Sequence, residues 1–317
     1  MSAFSRLFAR DPGPLLNPAE GFDDIDEALD AVASGDWAAF ARHLDARTPH
    51  DALHWLAVVA SGSGDTEFTL PDDPAPAEAR AAGGFVTAWL SWRADICPDD
   101  PAEDYVPIGQ AAVTLLARAD QADPSVLASR LTLSRLVSDD ADRAEDLGWA
   151  IDDLPPCLMA AHLRMAVACR RHGGSQAAMW RLARRLADPA PSAGWLGLIA
   201  MAHLEDIRWH LALDPDKAAR KAYRSVVDSS AFRAEAVALN HRFLDRAAAE
   251  GPSTASERRY GHNALACLMV QLGEGGHALP HLKAIGDRPM HQLWGGPVHR
   301  KTWNRVRGLA MLPPLRP

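Results

Sequence analysis

Thirteen histidines are spread over this chain of 317 residues, and two pairs of them stand four apart, His50 with His54 and His277 with His281. On a helix that spacing puts both imidazoles on one face, where they could ligate a metal ion. The run from His50 to His54 lacks the glutamate that would follow the first histidine of a zinc-protease motif. With two ligands in view and no third, a surface or partly buried structural role is expected for all four, and no metal. His203 and Glu205 are two apart and point to different sides of a helix, so they cannot form a local acid–base pair. His203 and His210, seven apart, share a face that Trp209 adjoins. A hydrogen bond from His203 to the neighbouring hairpin is the expectation, with a place in a ligand groove as the alternative.

Aspartate clusters raise magnesium-assisted diphosphate chemistry, which needs a DDxxD-like run on a helix facing a second acidic motif. Asp23, Asp24 and Glu27 lie in a helix too near the start of the chain to line such a bundle. The run from Asp139 to Asp146 is better placed, but no partner motif follows it. Carboxylates at a helix start complement the partial positive charge left there by the aligned peptide dipoles, and that solvated role is the expectation. The chain has no GxSxG elbow, no GxxxxGK[ST] phosphate loop and no GxGxxG after a strand. No residue is assigned a catalytic role, and no cofactor is expected.

Four cysteines, Cys97, Cys157, Cys169 and Cys267, are far apart with no CxxC pair, which reads as buried small hydrophobes in a reducing cytoplasm. No apolar run has the length of a signal peptide or a membrane span, so a soluble cytoplasmic protein is expected. Near the end, Leu293-Trp294-Gly295-Gly296-Pro297 is followed by His299, Arg300, Lys301, Trp303, Arg305 and Arg307. Basic residues interleaved with aromatics can hold phosphates and stack bases. A tail folded back over the last hairpin is preferred here, and nucleic acid is not the expected partner.

The elements that must position these residues read as helices throughout. Apolar residues recur at three- and four-residue spacing, and no segment keeps the alternation of a half-buried strand, so the fold is expected to be all-α. Ile25, Leu29 and Val32 line a first helix that Gly35 stops, and Trp37, Phe40, Ala41 and Leu44 open the next. Thr48-Pro49 reads as an N-cap and first helical residue, and Asp123-Pro124 as another such start. Further helices are expected over 77–96, 106–119, 124–137 and up to Asp153. Leu154-Pro155-Pro156 then breaks the chain. Beyond it, one helix is read from Pro156 to His172, ended by Gly173-Gly174, with Ser175 capping an antiparallel partner that runs to Ala187. Helices over 192–213, 215–228, 232–250, 256–272 and 275–285 complete the pattern. Hairpins of this size bury their apolar faces only against neighbours, so stacking into a curved or two-lobed solenoid is expected.

Hydrophobic residues make up 48% of the chain and charged ones 23%, which excludes a disordered protein. Charge is unevenly placed. Residues 1–150 carry 27 acidic against 10 basic side chains, and residues 151–317 carry 14 against 23. The shift from acidic to basic coincides with the Leu154-Pro155-Pro156 break. An acidic helical subdomain is therefore read over 1–154, a basic one over 155–287 and a basic tail over 288–317. The asymmetry could hold the halves together, steer an acidic partner or simply solvate the surface.

Three stretches, Arg170–Arg184 (RRHGGSQAAMWRLAR), Ile199–Asp206 (IAMAHLED) and Asn263–Gly286, resemble a group of bacterial helical proteins related to tetratricopeptide repeats, often found in actinobacteria. That group often has a Trp-Gly-Gly-Ser turn before a helix bearing Met and aromatic positions, and an Ala-His-x-Glu pair about thirty residues on. His172 stands where the turn has Trp, whereas Ala202, His203 and Glu205 match. The resemblance covers roughly residues 155–290 and implies an α-helical repeat fold, with no activity attached.

From this the chain is expected to be a non-enzymatic interaction or scaffold module whose concave helical surface takes a protein or peptide. His162, Arg171, Trp180, His203 and Trp209 are the expected groove residues. The alternative is an enzyme or small-molecule binder with a pocket between the two helical halves.

Overall fold

The computed structural model of the chain describes residues 22–64, 66–96, 105–137, 141–188, 191–286 and 289–290. Cys97, Asp139, Asp140 and the basic aromatic tail lie outside the described residues. Among those described there are fourteen α-helices and no strand, and no helix is long and apolar enough to cross a membrane. The chain divides into two compact units, Met1–Val167 and Ala168–Pro317.

The first unit comprises α1 (Ile25–Ser34), α2 (Trp37–Asp45), α3 (Pro49–Ser63), α4 (Pro76–Ile96), α5 (Val106–Arg118), α6 (Pro124–Leu136), α7 (Ala141–Asp152) and α8 (Leu158–Val167). Their ends follow the side chains that can satisfy free backbone groups. Gly35 closes α1 with a left-handed φ of 72°. Asp36, Thr48 and Asp123 accept from the backbone N–H of Ala39, Asp51 and Ser125, and Pro49 and Pro124 take the first helical position, where no N–H is needed. Asp24 precedes α1 but makes no cap bond. Its carboxylate is taken by Arg47 at 2.6 and 2.7 Å, His43 at 2.7 Å and the Trp55 indole N–H at 3.2 Å. Burial pushes the Asp24 carboxyl up. The hydrogen bonds and charge of Arg47, with His43 and Trp55, outweigh this and hold it below its usual value.

The longest of these helices, α4, packs against α2, α3, α5 and α6. It can do so because Ala79, Ala81, Ala82, Gly83 and Gly84 present almost no side chain. A Cβ on Gly83 would lie 2.6 Å from Leu116 of α5, and one on Gly84 would lie 2.9 Å from Leu56 of α3. Phe85 follows, fully buried with Phe40 at 5.9 Å and Trp37 at 5.8 Å. Full burial of such a ring contributes about 2–3 kcal/mol. The indole N–H groups of Trp37 and Trp89 donate to the carbonyls of Thr69 and Gly64, which fasten the extended stretch after α3. The Leu154-Pro155-Pro156 break separates α7 from α8, and α8 packs on α6 and α3.

The second unit comprises α9 (Gln176–Ala187), α10 (Gly197–Arg208), α11 (Lys217–Val227), α12 (Ser230–Ala249), α13 (Ala255–Gln271) and α14 (Gly275–Ile285). Where one helix was expected from Pro156 to His172, α8 ends at Val167, and a 3₁₀ turn, Arg170–His172, follows. Backbone bonds from Gly174 to Cys169 and from Ser175 to Ala168 tighten that end, with Gly173 at φ 82°. The segment read as one helix from Ser192 to Leu213 is composite. A 3₁₀ turn, Ala193–Leu196, leads into α10, and a π-helical turn, Trp209–Leu213, ends it. The first turn is fixed by carboxylates: Glu250 accepts from the Ala193 N–H and Glu257 from the Ser192 hydroxyl.

In this unit α13 packs against α10, α12 and α14. Its approach to α10 depends on glycines from both sides. A Cβ on Gly197 of α10 would lie 3.0 Å from the Gly261 Cα, one on Gly194 in the turn before α10 would lie 2.2 Å from the Glu257 carbonyl, and one on Gly261 would lie 2.4 Å from the Phe243 ring of α12. Nothing smaller than glycine exists for such a crossing, so any side chain forces the elements apart. Gly261→Ala is expected to lower stability by about 2–3 kcal/mol in urea unfolding. Gly276→Ala on α14, where an added Cβ meets nothing within 4 Å, is expected to raise it by up to about 1 kcal/mol, the ordinary helix gain.

Candidate functional site

The hairpin of α9 and α10 gathers most of the residues singled out from the sequence. The turn that leads into α9 is narrow because Gly174 lies against the preceding chain, where a Cβ would fall 2.1 Å from the Ala168 carbonyl. That turn holds Arg170 and Arg171 over α10. Arg171 pairs with Glu205 at 3.3 Å, and the Arg170 guanidinium lies 4.9 Å from the centre of the Trp209 ring. Ser175 caps α9 through the Ala178 N–H. Gln176 next to it accepts from the Arg170 N–H at 3.3 Å and donates to Asp206 at 2.8 Å.

Asp206 is a junction. Its second oxygen accepts from the Tyr223 hydroxyl of α11 at 2.9 Å, and His210 approaches it at 3.8 Å while facing Asp214 at 3.7 Å on its other side. The His210 ring stacks on Tyr223 with centroids 4.3 Å apart. Burial and the Asp206 charge push the Tyr223 phenol far up, so it stays a neutral donor. The π-helical turn closes with the Asp214 N–H on the Trp209 carbonyl at 2.8 Å. Such wide turns recur at functional positions because they re-aim side chains out of helical register.

His203 is 2% exposed, with the Trp180 ring at 4.6 Å and the Phe232 ring at 5.0 Å, both edge-on. The hydrogen bond expected of it is not made: neither ring nitrogen has a partner among the described residues. Burial lowers its pKa against the opposing charges of Glu235 and Asp206, with Arg184 adding to the lowering. His203 is therefore an uncharged support behind Trp180, not a groove surface. Trp180 and Trp209 are both half-buried, and each carries an arginine on its ring, Arg184 at 5.2 Å and Arg170 at 4.9 Å. Of the five residues named from the sequence, four thus share the second unit. His162 belongs to α8 of the first unit, where it is half-buried.

The histidine pairs at four-residue spacing have other companions. His50 and His54 are buried on α3, and the Phe22 ring meets His54 at 5.2 Å. His281, fully buried on α14, bonds to His262 of α13 (Nδ1 to Nδ1, 2.9 Å) and to Asn240 of α12 (2.5 Å), while His277 meets His241. Among the described residues no three His, Cys, Asp or Glu side chains converge as metal ligands do. The His281 bonds fix its proton. Asn240 Oδ1 only accepts, so His281 Nε2 carries the hydrogen and Nδ1 accepts from His262. Sequence spacing missed this trio because its members come from three helices. Cys169, Cys157 and Cys267 are buried thiols, and burial, with Glu205 nearby, pushes Cys169 up.

Burial lowers the pKa of His262 to about 4, with the Arg258 charge adding to it, and that of His281 to about 3, with His262 adding to it; the ordinary value is 6.5. Below pH 6.5 the unfolded chain takes up protons at both positions that the folded chain refuses. Stability is then complete above about 6.5 and falls as the pH drops through about 4 towards 3. Urea unfolding across this range is expected to show that fall, and His281→Gln is expected to flatten it by about 1.4 kcal/mol per pH unit. No family model, no curated protein sequence and no solved structure matches this chain, so its all-helical architecture and the geometry of this surface stand on their own.

Proposed function

We propose that the chain is a non-enzymatic interaction module whose stacked helical hairpins, tetratricopeptide-like in layout, present a concave surface to a protein or peptide partner. The observation that carries the reading is the pair of half-buried tryptophans, Trp180 on α9 and Trp209 on the π-helical turn that ends α10, each with an arginine over its ring. Tryptophan and arginine dominate binding hot spots because a large rigid ring and a planar weakly hydrated cation gain most when a partner excludes water from them. Their positions are held from below: His203, itself against Phe232, backs Trp180, and the Glu205–Arg171 and Gln176–Asp206 contacts hold the turn that carries Arg170. Little ordering would remain to be done on binding, and this favours affinity.

The test is recovery of partners from source-cell lysate on immobilised protein at low and high salt, read by mass spectrometry. A partner retained at both salts, and lost by more than about tenfold on Trp180→Ala or Trp209→Ala, is the expected result. Unchanged recovery with both variants would place any binding elsewhere on the molecule.

A further inference from the structure

Helix α11 is the least covered element of the second unit, and its sequence, KAARKAYRSVV, sorts into three stripes. Ala219, Tyr223 and Val227, four apart, face the protein: the first two are half-buried and Val227 is 7% exposed. Lys217, Arg220, Lys221 and Arg224, at spacings of three, four and seven, form a second stripe. Three of these four are exposed, and none forms an ion pair among the described residues. Ala218, Ala222 and Val226 form the third stripe, also exposed, with Val226 at 49%. Leu213, on the π-helical turn that packs against α11, is exposed at 43%.

Four cations outside any ion pair among the described residues, beside an apolar strip, are complementary to a helix or strand with carboxylates on one side and apolar side chains on the other. We infer that α11 and the adjoining π-helical turn dock an acidic amphipathic segment of a partner protein, whose carboxylates pair with Lys217, Arg220, Lys221 and Arg224 while its apolar side chains cover Ala222, Val226 and Leu213. The inference rests on the interaction reading and gives the partner its chemistry. A nucleic acid fits less well. The one aromatic ring of α11, Tyr223, is covered by His210 and bonded to Asp206, so it offers no face for a base. The strip at Val226 has no use in phosphate binding.

Fluorescence anisotropy with a labelled synthetic peptide tests this directly. The probe is about 18 residues long, helix-forming, with glutamates at four-residue spacing and leucines on the adjoining face. A scrambled peptide of equal charge and a single-stranded RNA oligonucleotide with the same label serve as the other arms. The full-length protein is expected to prefer the patterned peptide to the scrambled one by about tenfold. The Lys217→Gln/Lys221→Gln/Arg224→Gln variant is expected to lose about tenfold, and Val226→Asp about threefold, with melting temperatures kept because all four side chains are exposed. Equal binding of patterned and scrambled peptides, tighter binding of the RNA, or affinity unchanged by the α11 variants would each overturn the inference. Partner loss on Trp209→Ala with the α11 variants unaffected would overturn it while leaving the interaction reading intact.

Discussion

In each unit one helix is crossed by several others at positions where even a methyl group would be too large. On α4 these are Gly83 and Gly84, set among buried alanines, and where α13 meets α10 and the 3₁₀ turn before it they are Gly194, Gly197 and Gly261. Helix axes can approach this closely only where side chains vanish, and the large rings then fill the flanks of the contact. Phe85, Phe40 and Trp37 do so beside α4, and Tyr260 and Phe243 beside Gly261. The rest of each unit follows from that geometry. With α13 pressed onto α10, the helices on either side of it are brought near enough for His281 to reach both His262 and Asn240.

The polar residues of the two units solve a common problem in different ways. A buried charge must find partners or be neutralised. Asp24 remains ionised because Arg47, His43 and Trp55 surround it, and Arg47 lies 4.4 Å over the Trp55 ring. His203, His262 and His281 are instead kept neutral by burial. The surface that carries the arginine-capped tryptophans lies between these extremes, with Glu205 and Asp206 partly covered and each tied to a neighbouring element. There Glu205 faces both Arg171 and Arg208, and α11 adds four cations that form no ion pair among the described residues.

Local order was legible wherever the cause was local. Gly35, Thr48-Pro49, Asp123-Pro124 and Ser175 mark helix ends in the sequence and in the structure because capping involves groups within three residues of each other. The helix read through to His172 stops at Val167 instead, since bonds from Gly174 and Ser175 back to Cys169 and Ala168 close it early. The π-helical turn at Trp209 was likewise invisible, as its pattern differs from an α-helix by one residue of register. For the site, the adjacency of Trp180 to His203 and of Arg171 to Glu205 is a property of helix pairing, and residue spacing along one helix carries no trace of it.

The sequence by itself determined the helical class, most helix boundaries, the uneven charge and the amphipathic stripes of α11, because each depends on periodicity, capping or composition within a short window. Only the tertiary structure decided which side chains meet. His203 became a buried support and not a contact surface, His281 took His262 and Asn240 in place of His277, and Asp24 became the centre of an ion-pair cluster. These outcomes depend on which helices cross and how closely. That is set by the summed packing of residues distant in the chain, with the glycines at the crossings fixing the distance.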